Sequence, residues 1–330
     1  MNLKFIDAKF ILLVGSLVII SILYGVYKDK TNKSDEEKHY QLVREYLLNE
    51  SPFVQKKPIL WIHLDYRINA REWKSFNSRN TNNLNQPYLF LTIKSIIDKC
   101  GENFNVCIID DNTFVNILPR WNVDLNKVAN PIKEKLRLLA LMNVLKLYGG
   151  MLLPASFLCI KNLYELYETN TENDKMFAGD LLNTNVSSND NHLHINNKLI
   201  GCKKDCEKIK EYISYIESVV STDYTDESTF TGSLDRWLET NMKINEINMI
   251  SSEKLGLINS QDNIITLDNL LNNTFYELHE DAHGIYIPSN EILDRKKYQW
   301  FARLSKEQIL TSNTLLGKYI LTNISNNSNN

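Results

Sequence analysis

Hydrophobic and polar positions divide the chain into stretches of different character. Phe10–Tyr27 (FILLVGSLVIISILYGVY) is an uncharged run of eighteen residues. As a helix rising about 1.5 Å per residue it would span about 27 Å, the depth of a hydrocarbon core. Tyr24, Val26 and Tyr27 lead straight into Lys28 with no small-residue cleavage site, so an uncleaved signal-anchor is expected over residues 1–27. Lys4 and Lys9 on one side are matched by Lys28, Lys30 and Lys33 on the other, so charge does not set the orientation. Residues 28–57 are polar and read as a stalk, with Glu37–Asn49 as a surface helix. A globular domain is expected over 58–322, and the asparagine-rich 323–330 is expected to be a disordered tail.

Within that domain the period of the pattern alternates between strand and helix. Pro58–Asp65 (PILWIHLD) reads as a buried strand, Pro87–Lys99 as a helix, and Phe104–Ile109 as a second strand ending in Asp110-Asp111-Asn112. The densest signal is Asn130–Leu163 (NPIKEKLRLLALMNVLKLYGGMLLPASFLCIKNL). Asn130 is a good N-cap and Pro131 a good first helical residue. Apolar residues then crowd more than one side of the helix, which predicts a buried one. Gly149-Gly150 stop it, Met151-Leu152-Leu153 enter a sheet, and Pro154 ends that strand. Lys175–Asp180 is a further strand closing on an acid, His192–Gly201 a strand pair or extended segment, Lys203–Ser221 a helix, and Thr225–Thr240 another opened by Thr225 or Asp226. Gly284–Pro288 is a short strand. This alternation predicts an α/β fold with a Rossmann-type mixed sheet flanked by helices.

Composition narrows the function classes. Of 330 residues, 43% are hydrophobic and 23% charged, ordinary for a globular domain. A net charge of −3 gives no reason to expect nucleic acid as a partner. Five cysteines, at 100, 107, 159, 202 and 206, are too few for a disulfide framework; Cys202 and Cys206 are read as two ordinary thiols or, in an oxidising compartment, one bridge. Asn-x-Ser/Thr sequons at Asn32, Asn49, Asn185, Asn272, Asn323 and Asn326 are compatible with a lumenal domain.

Candidate chemistry gathers at strand ends, where open α/β sheets bind ligands. Arg137, on a buried helix, requires a carboxylate or ligand partner, and Glu134 three residues earlier shares its face. Asp110 and Asp111 are either a pair able to recruit Mn or Mg, or an Asx turn capping the next segment. Asp180 closes a predicted strand at that edge; Asp226 and Glu227 sit where a helix start favours acids. His192 with His194 would share a strand face and His279 with His283 a helix face, but neither pair has a third ligand at metal-site spacing. No phosphate loop, dinucleotide fingerprint or hydrolase triad signature is present.

Glu134, Leu136, Arg137 and Tyr148-Gly149-Gly150 fall in step with a family pattern: an acid, two apolar residues, an arginine, a helix ending Tyr-Gly-Gly, an apolar strand, then Asp-x-Asp. On these residues the chain resembles the family 32 glycosyltransferases, over roughly Pro58 to Thr240 and most specifically over Glu134–Leu163. The Asp-x-Asp positions fall on Pro154 and Ser156, which cannot clamp a divalent ion on a diphosphate. The resemblance implies a GT-A-like fold, a nucleotide-sugar donor, a glycan or glycoprotein acceptor, a single-pass membrane protein with a lumenal (Golgi- or ER-like) domain, and retention of anomeric configuration. It implies donor contacts at Trp61, Glu134, Arg137, Tyr148, Gly149 and Gly150, and reactive or sugar-contacting groups at Asp180, Asp226 and Glu227. With the ion clamp replaced, the diphosphate would fall to Lys133, Lys135 and Arg137 or to backbone amides. A catalytically inactive relative acting as a binding or scaffold subunit is the alternative.

Overall fold

Ile59–Leu64 forms strand β1, and all of its residues but His63 are buried. The computed structural model describes residues 57–65, 86–184, 191–222 and 232–328. The expected anchor, stalk, surface helix and first sequons, and Asp226 and Glu227, lie outside the described residues. Among those described, no helix is long and apolar enough to cross a membrane.

The elements follow in order: α1 (Tyr88–Cys100), β2 (Asn105–Asp110), α2 (Phe114–Ile117), α3 (Ile132–Tyr148), β3 (Gly150–Leu152), β4 (Phe157–Cys159), α4 (Tyr164–Asn170), β5 (Phe177–Thr184), β6 (Asn191–Cys202), α5 (Glu207–Thr222), α6 (Ser233–Lys243), β7 (Asn248–Ile250), α7 (Leu267–Leu271), β8 (Gly284–Tyr286), α8 (Ser289–Asp294), α9 (Gln299–Ala302), α10 (Lys306–Leu310) and α11 (Leu315–Ser328). Two compact units are distinguished. One comprises Lys57–Phe114 and Val123–Asn330; the other comprises Met1–Lys56 and Val115–Asn122. The described part of the second is 115–122, where Trp121 N–H closes a turn on Leu118 O at 3.4 Å.

In the first unit six strands form one mixed sheet in the order β2-β1-β3-β6-β5-β7, and β4 pairs with β8 in a separate ribbon. β1 runs parallel to β2 and β3, β6 runs antiparallel to β3 and β5, and β7 runs parallel to β5. β6 is therefore the reversed strand, and the C-terminal ends of the other five share one edge. The fold is α/β with a Rossmann-like mixed sheet flanked by helices, as the alternating pattern predicts. Leu60, Ile62 and Leu64 pack with Ile93 and Ile96 of α1 in one core cluster. Trp61, on the other face of β1, meets Tyr148 of α3 at 5.7 Å between ring centroids. A second cluster gathers α7 to α11 around Phe301, Ile309 and Leu316.

Several expectations are corrected. Asn130 makes no cap: α3 begins at Ile132 with Pro131 in the cap position and no side-chain cap bond. β5 continues to Thr184, so Asp180 lies inside the strand rather than at its end. α6 begins at Ser233 after Gly232, so neither Thr225 nor Asp226 opens it. His279 and His283 share no helix; the segment between α7 and β8 is irregular. The tail expected to be disordered is helical to Ser328, because Asn323 is buried and donates from Nδ2 to Cys159 O at 2.7 Å. All five cysteines are free thiols, and Cys100 and Cys159 approach to 3.7 Å between sulfurs.

Candidate functional site

Register brings the first half of the site together. β1 and β2 pair in parallel as far as Leu64↔Asp110. The next residues, Asp65 and Asp111, therefore leave the sheet side by side at its C-terminal edge. α3 runs back against these strands, so its first turns lie over the same edge. Arg137 donates from Nε to Asp111 Oδ1 and from Nη2 to Asp111 Oδ2, both at 2.7 Å. Its Nη1 lies 2.9 Å from each oxygen of Glu134, and its Nη2 reaches Asp65 Oδ1 at 3.3 Å. Every guanidinium nitrogen thus has a carboxylate partner. His63 Nε2 meets Asp111 Oδ1 at 3.0 Å and Lys133 Nζ stands 3.7 Å from Oδ2. The imidazole stacks on Phe114 at 5.6 Å.

The electrostatics follow from burial and pairing. The Arg137 side chain is 8% exposed and that of Asp111 11%. Burial alone would raise the Asp111 carboxyl, but the hydrogen bonds and charges of Arg137 and His63 outweigh it and hold the group well below the carboxylate range. Burial would likewise lower Arg137, and Asp111, Glu134 and Asp65 more than reverse it. Glu134, 52% exposed, and Asp65, 32% exposed, carry the carboxylates that remain open to solvent. The outward face of this half is acidic.

Asp110 and Asp111 do not act as a pair. Asp110 Oδ1 accepts from Thr113 N at 2.9 Å and from Thr113 Oγ1 at 2.6 Å, closing an Asx-type turn, while Asp111 is committed to Arg137. The fit of a divalent ion here is poor: both carboxylates are engaged, and Pro154 and Ser156 bring no charge. Among the described residues no group of three His, Cys, Asp or Glu is placed to hold a metal.

The Tyr148-Gly149-Gly150 turn lies at the opposite edge of the sheet, at the start of β3 beside Ile59. Gly150 has φ +100°, and a Cβ there would fall 2.0 Å from Ile59 O; at Gly149, φ +69°, it would fall 2.6 Å from Lys204 N. The glycines admit neighbouring backbone rather than a ligand. Trp61 is 1% exposed and donates from Nε1 to Gly149 O at 2.9 Å, so its role is to fasten that turn. The turn that these residues build stands away from the edge that carries Glu134 and Arg137. Pro154 and Ser156 lie just beyond β3 at the C-terminal edge of the sheet, in a turn closed by Phe157 N–H on Pro154 O at 3.0 Å. Ser156 is buried.

A second half, which sequence reasoning largely missed, comes from β5, β6 and α6. The β5–β6 register jumps from Ala178↔Ile200 to Gly179↔Asn196, so Asn197, Lys198 and Leu199 bulge out of that ladder. A Cβ on Gly179 would stand 3.2 Å from Leu199 Cβ, so the glycine makes room for the bulge. Asn196 Oδ1 shapes it by accepting Lys198 N–H at 2.9 Å. Leu199 is buried and Lys198 is exposed as a residue. The Tyr286 hydroxyl, then Asp235 and Glu291, hold the Lys198 ammonium above the ordinary lysine value against the opposing pull of burial. Asp235 Oδ2 accepts from Asn196 Nδ2 at 3.2 Å and lies 3.6 Å from His194 Nε2. Asp235 Oδ1 is buried without a hydrogen bond. Asp180 is half-buried; burial raises its carboxyl, and the hydrogen bond from Ser252 and the nearby His194 offset only part of that.

The one signal that could have revealed Asp65 is its position directly after a strand whose single polar residue is His63. For Lys198 the signal is the polar triplet Asn196-Asn197-Lys198 interrupting β6. No protein-family model matches the chain, and no curated protein matches it.

Proposed function

We propose that this chain is a glycosyltransferase-like protein of GT-A type that binds a nucleotide-sugar along the C-terminal edge of its sheet. The observation that carries the reading is the convergence of Glu134 and Arg137, the two residues at the core of the resemblance, with Asp65 and Asp111 beyond the ends of parallel strands. That edge is where a Rossmann-like sheet takes its ligands. Arg137 does not hold the diphosphate, since each of its nitrogens already serves a carboxylate. It acts instead as the post on which Asp65 and Glu134 are aimed. Exposed carboxylates accept from paired hydroxyls, so Glu134 and Asp65 suit the hydroxyls of a ribose or sugar. Asp180, half-buried, offers the same chemistry across the edge toward the transferred sugar or its acceptor. The anchor over residues 10–27 would hold this domain on the lumenal side of a membrane.

Calorimetry with UDP- and GDP-sugars, with and without manganese, tests the reading. Binding of one donor, weakened about tenfold or more by Glu134→Gln with the melting temperature unchanged, is the expected result. No binding of any donor refutes it. A second reading, a scaffold or binding subunit without turnover, is favoured by one observation: Pro154 and Ser156 stand where the ion clamp would be. Donor binding with no sugar release to water or to glycan acceptors would select it.

A further inference from the structure

The cations at the edge are unequally available. Arg137 is consumed by Asp111, Glu134 and Asp65. Lys133 faces Asp111 at 3.7 Å. Lys135 is buried at 7% exposed on the helix. Lys198 is exposed as a residue, its ammonium meets the Tyr286 hydroxyl and faces Asp235 and Glu291, and its position is unusual. The last pair of the β3–β6 ladder is Leu152↔Ile200. Two residues further along β3 comes Pro154, and two residues back along β6 comes Lys198. The bulge that releases Lys198 from β5 therefore stands across from the loop where an ion clamp would sit. Gly179 and Asn196 both serve that bulge, the first by leaving space for Leu199 and the second by a backbone hydrogen bond.

We infer that Lys198 is the fixed cation that neutralises the diphosphate of a nucleoside-diphosphate ligand, in place of a divalent ion. This deepens the function proposed above and rests on it. The buried Tyr286 hydroxyl hydrogen-bonds the ammonium and fixes its position. Asp235 and Glu291 face the same ammonium and steady it. They also subtract from its attraction for an anion, so affinity for the diphosphate is modest and falls steeply with salt. A metal-free diphosphate site built this way loses its anion when the lysine is cut back to a methyl group and keeps it when another cation replaces it.

The test is binding of UDP and GDP in EDTA at low ionic strength to the wild type, Lys198→Ala and Lys198→Arg, with uridine and guanosine as phosphate-free probes. Melting temperatures of the three proteins check the fold. The expected result is diphosphate binding without metal, weakened about tenfold to a hundredfold in Lys198→Ala. Lys198→Arg then restores most of it, and the bare nucleosides are unaffected. Diphosphate binding that is indifferent to Lys198→Ala overturns the assignment of Lys198 and leaves the proposed function standing. Binding that appears only with manganese does the same, because the ion then supplies the charge. Failure of every nucleotide to bind, with or without metal, overturns the proposed function and the assignment together.

Discussion

Replacing Arg137 with Met removes the guanidinium and keeps much of its stem. Asp111 then loses both 2.7 Å bonds while its side chain is only 11% exposed. Breaking a pair this buried by removing one partner costs about 3–5 kcal/mol, and the lower part of that range applies here because His63 at 3.0 Å and Lys133 at 3.7 Å still face Asp111. The arm to Glu134 is half-exposed and adds only about 0.3–0.5 kcal/mol, as an i,i+3 pair on a helix. At a urea dependence of about 2 kcal/mol per molar, the unfolding midpoint should fall by roughly 2 M. The double variant Arg137→Met with Asp111→Leu should recover much of the loss, since the stranded charge is gone. The pH dependence supplies a sign. The folded-state value of Asp111 lies below its unfolded value of about 3.9. Its stabilisation is therefore complete above that value and is lost as pH falls through it toward the folded value. The gap between wild type and Arg137→Met should shrink between about pH 5 and pH 3. A loss under about 1 kcal/mol, or a gap that stays constant over that range, would refute the picture of a buried ionic post.

Three further outcomes are expected. Gly150→Ala should abolish soluble expression or lower the melting temperature by more than about 10 °C, because its Cβ would lie 2.0 Å from Ile59 O at φ +100°; an unchanged melting curve would contradict the packing at the head of β3. Trp61→Phe should cost about 1–3 kcal/mol in denaturant unfolding by leaving Gly149 O without its 2.9 Å donor, with no selective effect on donor affinity beyond that loss. Asp180→Asn should be at least as stable as wild type at pH 7. Burial raises the folded-state value of Asp180, so the stability favouring its protonated form is full below about pH 3.9 and lost as pH rises through the folded value. Thermal melts at pH 3 and pH 7 check this: the advantage of Asn should appear only at the higher pH, and its appearance at both would mean that charge is not the cause.

Much of the fold was legible because burial writes itself into short apolar runs. PILWIHLD gave β1 to within a residue, and the all-round apolar helix before Gly149-Gly150 gave α3 and β3. The pair Glu134–Arg137 followed from helical spacing alone. What could not be read depends on partners distant in sequence. Asp180 sits mid-strand because β5 goes on pairing with β6 beyond it, from Asp180↔Ile195 to Thr184↔Asn191. Asn323 belongs to a helix because a carbonyl on β4 accepts its amide. The Lys198 bulge exists because a glycine on the neighbouring strand leaves a gap, and periodicity carries no mark of that. Tyr-Gly-Gly was legible as a helix stop, but which edge of the sheet it occupies depends on the direction of β3.

The sheet narrows to a waist at β3. This strand has three residues, joined to β1 by two residue pairs and to β6 by three. One leaf, β2 and β1, presents Asp65 and Asp111; the other, β6, β5 and β7, presents Lys198 and Asp180. A molecule that touches both leaves would act as a clasp across the narrowest part of the fold, and its grip would add directly to the cohesion of the whole domain. Occupancy by such a molecule would therefore be tied to mechanical integrity through the same short strand.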